Sequence, residues 1–208
     1  MPDSGRLNHA RGRPVAPFYR GAAAALGLIL AATLLTGCTE SRVRVADRPL
    51  LVTKQDLAGF GIDPDTLQGQ EIFRRNHYFD GSMEVEYAFE TPEGAAEVFY
   101  INTVVGFENS VADASDSYRL FKGGIGVGTQ IGGGSLREVP DFYRWGDESY
   151  CAVVPGRAGP AGNVFLTRRG KKTFLVAIVG IYFDDPMAWD VLVRPKLEYL
   201  DGYTPRDD

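Results

Sequence analysis

Histidine and cysteine are nearly absent from this 208-residue chain, which holds two of each. His9 falls in the first residues, so His77 is the one imidazole left for a folded domain. A nucleophilic triad needs an oriented base beside its nucleophile, and no Gly-x-Ser-x-Gly elbow supplies the serine. His77 therefore reads as a strand residue near a turn. Zinc sites draw on several His, Cys or carboxylate ligands, and no His-Glu-x-x-His motif or calcium loop is present. No metal or cofactor is expected.

Long apolar runs are also missing. The longest apolar run spans Gly21 to Leu35, or 15 residues without a charge. A membrane-spanning helix needs roughly 20, so this run suits the apolar part of a signal peptide, preceded by Arg6, Arg11, Arg13 and Arg20. Positive charge is scarce beyond it. The chain carries −5 in total, and its first 37 residues hold four arginines against Asp3, which leaves about −8 for the rest. An acidic domain of this kind is a poor nucleic-acid binder, because phosphate binding needs clustered cations.

The apolar run ends in Leu35-Thr36-Gly37-Cys38. This resembles the lipobox of bacterial lipoproteins. The resemblance implies a covalent lipid on Cys38, cleavage just before it by a signal peptidase that reads Leu35, Thr36 and Gly37, and anchoring on a membrane of the cell envelope. Two or three acyl chains give stable anchoring where one does not. Thr39 follows, and the absence of Asp there implies the outer membrane in a Gram-negative host. Residues 38–49 then read as a lipidated polar tether, with 11 residues after Cys38 reaching at most about 35–40 Å. Residues 50–203 read as a single domain and 204–208 as a tail. With Cys38 committed to lipid, Cys151 has no partner for an intrachain disulfide. It sits in an apolar run and reads as a buried thiol, with a nucleophile or an intermolecular bridge as alternatives.

Thr53 and Asp56 have the spacing of a helix-capping box. Gln70–Phe79 and Met83–Glu90 read as strands about a two-residue type I′ turn at Asp80-Gly81. In the second of them Met83, Val85, Tyr87 and Phe89 alternate with Glu84, Glu86, Ala88 and Glu90, placing the apolar set inward and the acids in solvent. Thr91-Pro92 turns the chain. The β-branched residues at 101, 103, 104 and 105 favour a strand over Val98–Phe107, against a rival helix from Thr91. Ser110 and Asp113 open a helix whose face is Val111, Ala114, Tyr118 and Phe121. Gly123 and Gly124 should end it. The glycine-rich stretch Gly123–Gly134 reads as a loop that could line a groove. It follows a helix and lacks a Gly-Lys-Ser ending, so it is a poor phosphate cradle.

Short segments at Leu136–Val139 and Phe142–Trp145 precede the strand that holds Cys151. Pro155–Gly162 reads as a loop. Asn163–Arg168 and Lys172–Tyr182 form a hairpin with a basic tip, Arg168, Arg169, Lys171 and Lys172, a possible interaction surface for anionic headgroups or an acidic protein partner. Asp185 and Pro186 start a last helix with Ala188, Val191, Leu192, Tyr199 and Leu200 on one side, kinked or split at Pro195. The fold class expected is α+β: an antiparallel sheet built from hairpins, with two main helices packed on it.

Met83-Glu84-Val85-Glu86-Tyr87, Ala114, Tyr118, Gly146-Asp147-Glu148-Ser149 and Arg168-Arg169-Gly170-Lys171 carry a second resemblance. Over about residues 50 to 202 the chain is similar to exported lipoproteins with a Mog1/PsbP-like α/β/α sandwich. That likeness implies an accessory or binding role and assigns no functional residue. The reading is a membrane-anchored, non-catalytic module for a protein partner or small ligand. The alternatives are a hydrolase using carboxylates or Cys151, and a structural spacer or accessory subunit of a membrane complex.

Overall fold

A computed structural model describes residues 38–205 apart from 93, 94, 96, 97 and 132–134, with 38–40 and 126–131 described by backbone alone. Leu35, Thr36 and Gly37, read from the sequence as a cleavage motif, lie outside the described residues.

Eight strands form one antiparallel sheet: β1 (Cys38–Ser41), β2 (Gln70–Tyr78), β3 (Met83–Glu90), β4 (Tyr100–Phe107), β5 (Arg137–Glu138), β6 (Glu148–Gly156), β7 (Gly159–Arg169) and β8 (Lys172–Val179). Their order across the sheet is β1-β2-β3-β4-β8-β7-β6-β5. Each half is a meander of neighbouring hairpins, and the halves join where β4 pairs with β8. Between the halves the chain runs along helix α1 (Val111–Ile131) to the far edge. Helix α2 (Pro186–Gly202) closes the fold. The α+β class follows from these hairpins and two helices.

Period-two alternation sends residues to two separate cores. On the first face Val85, Tyr87 and Phe89 of β3, Ile101 and Val105 of β4, and Phe165 and Phe174 pack with Trp189, Leu192, Val193, Leu197 and Leu200 of α2. On the second face Tyr100, Val104, Leu166 and Leu175 pack with Tyr118 and Ile125 of α1. Fully burying one such side chain contributes about 1.5–3 kcal/mol. The layers are therefore helix, sheet, helix. No described helix is long and apolar enough to cross a membrane.

Several local expectations change. The segment read as a tether belongs to the fold. Cys38–Ser41 pairs with Arg75–Tyr78 as an edge strand, and Asp47 is fully buried. The β2–β3 connection is a four-residue loop, Phe79 to Ser82. Tyr78 N donates to Ser82 O at 3.0 Å and Gly81 N to Tyr78 O at 3.0 Å. A type I′ turn needs positive φ at both central residues, and here Gly81 has it (89°) while Asp80 does not.

Helix α1 runs through Gly123 instead of ending there, because Ile125 continues the face of Ala114 and Tyr118 into the second core. The stretch read as a loop is thus helical to Ile131, and 132–134 lie outside the described residues. Pro155–Gly162 is strand apart from the turn at Arg157-Ala158. In α2, Asp185 accepts from Met187 N at 2.9 Å as expected of a cap, and Pro195 lies within one unbroken helix. The buried side is Trp189, Leu192, Val193, Leu197 and Leu200, while Val191 and Tyr199 face outward.

Candidate functional site

Register places one polar row across the second face: Asn76, Glu84, Gly106, Thr173 and Arg168 are successive cross-strand neighbours on β2, β3, β4, β8 and β7. Glu86 and Asn102 share that face one and two rows along. These acids do not stand in solvent as the strand alternation suggested. Glu86 is buried, Glu84 is half-buried, and Asn102 and Thr173 are each 1% exposed. Helix α1 packs over β7 and β8, and Glu108, just before it, accepts from Ser117 Oγ at 2.7 Å.

The cluster is rich in acceptors. Asn102 Nδ2 donates to Glu86 Oε1 at 3.0 Å and to Tyr87 O at 3.4 Å. A carboxylate on one side fixes the amide's orientation, and its Oδ1 then has no hydrogen-bond partner. Thr173 Oγ1 is likewise buried and unpartnered. Asn76 Nδ2 reaches Glu84 Oε1 at 3.4 Å. Gly106 separates Glu84 from Thr173, and a methyl group there would lie 2.4 Å from Thr173 Oγ1 and 3.6 Å from Glu108 Oε1.

Burial pushes the Glu84 carboxyl from its ordinary 4.5 up to about 7, and the negative charges of Glu86 and Glu108 add to the rise. Burial also raises Glu108. Arg74 approaches Glu86 at 3.8 Å. An unsatisfied buried polar atom costs about 1–3 kcal/mol, so Thr173 Oγ1, across Gly106 from Glu84, marks a spot where a donor-bearing cation would relieve that cost and the repulsion of the carboxyls; Asn102 Oδ1 lies two rows further along, beside Glu86. No set of three or more His, Cys, Asp or Glu has metal-holding geometry among the described residues.

Asn102, Gly106, Glu108 and Thr173 were not singled out from the sequence. The signal was faint: Asn102 and Gly106 interrupt the otherwise apolar or β-branched run of β4.

The basic tip is mostly committed to the fold itself. Arg168 is 9% exposed and donates to Glu148 Oε1 at 2.7 Å and Asp147 Oδ2 at 3.1 Å. Arg169 pairs with Asp201 and stacks on Trp145, 5.1 Å from the ring centre. Lys172 Nζ donates to the carbonyls of Leu200 and Tyr203 at 2.6 and 2.7 Å, capping the end of α2 with positive charge. Arg169 and Lys171 are the exposed two of the four.

Cys151 is a core residue. It is 3% exposed, its Sγ donates to Tyr143 O at 3.2 Å, and burial pushes the thiol up to about 11. A thiol so placed has little thiolate at neutral pH. His77 lies on β2 opposite Met83. No protein-family model, curated protein or solved structure matches the chain.

Proposed function

We propose that this protein is an envelope lipoprotein, anchored by lipid on Cys38, whose domain is a non-catalytic binding module. Its binding site is the acceptor cluster around Glu84, and the group received is an ammonium or guanidinium on a protein partner or small ligand. The observation that carries the binding site is the orphaned buried Thr173 Oγ1, across Gly106 from Glu84 and on the same side as Glu108. Guanidinium offers five N–H donors in a fixed plane, a good complement to such acceptors. The anchor rests on the Leu35–Cys38 motif.

Calorimetric titration of the detergent-solubilised full chain with agmatine, which carries both cations, tests the site. Binding is expected for the wild type, with at least a tenfold loss for Thr173→Val, a change worth about 1.4 kcal/mol. Absence of agmatine binding to folded wild-type protein would sink the site. It would also shift weight to the spacer reading. The anchor is tested separately, by the mass of the membrane-extracted chain. It should start at Cys38 and carry two or three acyl chains.

A second reading draws on the same raised carboxyl. Glu84, half-protonated near neutral pH beside Glu86, has the charge state of a general acid. A hydrolase of that kind would release nitrophenol from nitrophenyl esters or glycosides, and Glu84→Gln would abolish the release. Cys151 has no part in this reading, since its thiol is buried against a carbonyl.

A further inference from the structure

Residue pairing brings the lipid attachment point together with the most exposed aromatic ring among the described residues. Cys38 is the first residue of β1 and pairs with Tyr78. Phe79 follows Tyr78 at the tip of the β2–β3 loop and is 88% exposed. No tether lies between the anchor and the fold, because β1 begins at Cys38 itself.

The neighbouring loops lie at the same end. Asn109 Nδ2 donates to Asp80 O at 2.7 Å, which holds the start of α1 and its half-exposed Val111 beside the loop. Glu108 N donates to Lys171 O at 2.9 Å, which adds the β7–β8 turn to this end. The β6–β7 turn at Arg157-Ala158 lies at the opposite end of the strands.

We infer that this end of the sandwich faces the bilayer, with Phe79 inserted at the membrane interface beside the lipid on Cys38. The inference rests on the lipoprotein reading and adds an orientation and a second, apolar contact to it. An exposed ring at a loop tip loses surface to water in the interface, where aromatic side chains are enriched. The contact does not need anionic lipid, because Arg168 and Arg169 at this end are already paired with Asp147, Glu148 and Asp201. The lipid chains hold the protein down, and Phe79 sets which way it stands.

The test uses the full chain, produced in a bacterium that acylates lipoproteins and reconstituted into phosphatidylcholine vesicles with or without brominated acyl chains. Three variants each add one tryptophan: Phe79→Trp at the loop tip, Ala158→Trp at the far end, and Val191→Trp on the exposed side of α2. A side chain held roughly 5–10 Å into the headgroup boundary should be quenched about twofold by the brominated lipid. Trp145 and Trp189 supply a background measured in the unmutated chain. Quenching confined to the Phe79 variant is the expected result. Quenching of the Val191 variant instead would mean that the domain lies on α2, and the inference fails while the anchor stands. An acylated protein with none of the three quenched overturns it in the same way. A mass without acyl chains overturns the lipoprotein reading, and this inference goes with it.

Discussion

The carboxylate of Asp47 and the guanidinium of Arg75 are both fully buried and stand 3.9 Å apart. Asp47 also accepts from Arg44 N at 2.9 Å and from the hydroxyl of Tyr203. One carboxylate thus ties the segment before the first core residue, the second strand and the end of α2.

Removing one member of a buried pair strands the other charge. Asp47→Ala should therefore cost about 3–5 kcal/mol of stability, read as a fall in the urea midpoint of the solubilised chain. The double variant Asp47→Ala with Arg75→Met should recover part of the loss, since no uncompensated charge remains. A loss below about 1 kcal/mol in the single variant would match a surface pair and contradict the burial described.

This pair also shows where sequence reading runs out. Asp47 sits among Arg42, Arg44 and Arg48, and a charged stretch of that composition reads as solvated. Its burial depends on Arg75, 28 positions on, and on Tyr203 beyond α2, so no local pattern carries it. The hairpins were legible because alternation and turn residues are local signals. The acceptor cluster was not, because Glu84, Gly106 and Thr173 meet through the register of three strands. In α2 the cap and the leading proline were readable, while the buried side was partly misjudged. Trp189, Val193 and Leu197 form it, and Val191 and Tyr199, equally apolar in sequence, do not.

Glu84 should give stability an unusual pH dependence. Its carboxyl rises from 4.5 to about 7 on folding, so the folded state holds the proton more tightly than the unfolded state. The stability it contributes is fully present below about pH 4.5, is lost as pH rises towards 7, and is absent above. The direction is opposite to that of a salt-bridged acid. Glu84→Gln removes the titration. It should be close to neutral at pH 4 and stabilising by about 1–3 kcal/mol at pH 8. Urea unfolding of both chains at the two pH values measures the difference. An effect of equal size at pH 4 and pH 8 would show that Glu84 does not titrate in this window.

Glycines that look alike in the sequence should respond in opposite directions to the same added methyl. Gly123 is exposed inside α1, and a Cβ there meets nothing within 4 Å. Alanine at that position reduces the freedom of the unfolded chain and adds helix propensity, so Gly123→Ala should stabilise by about 0.5–1 kcal/mol. Gly162 lies in β7 where the backbone of β8 comes close, and a Cβ would fall 2.0 Å from Ile178 O. That contact is with backbone and cannot be relieved by a rotamer change. Gly162→Ala should therefore destabilise by more than the helix variant gains, by about 1–3 kcal/mol as overpacking does. Thermal unfolding of the two variants side by side reads both signs. A destabilised Gly123→Ala chain would mean that α1 ends before Gly123, as the glycine pair suggests from sequence alone. A Gly162→Ala chain as stable as the parent would mean that β7 and β8 do not approach as described.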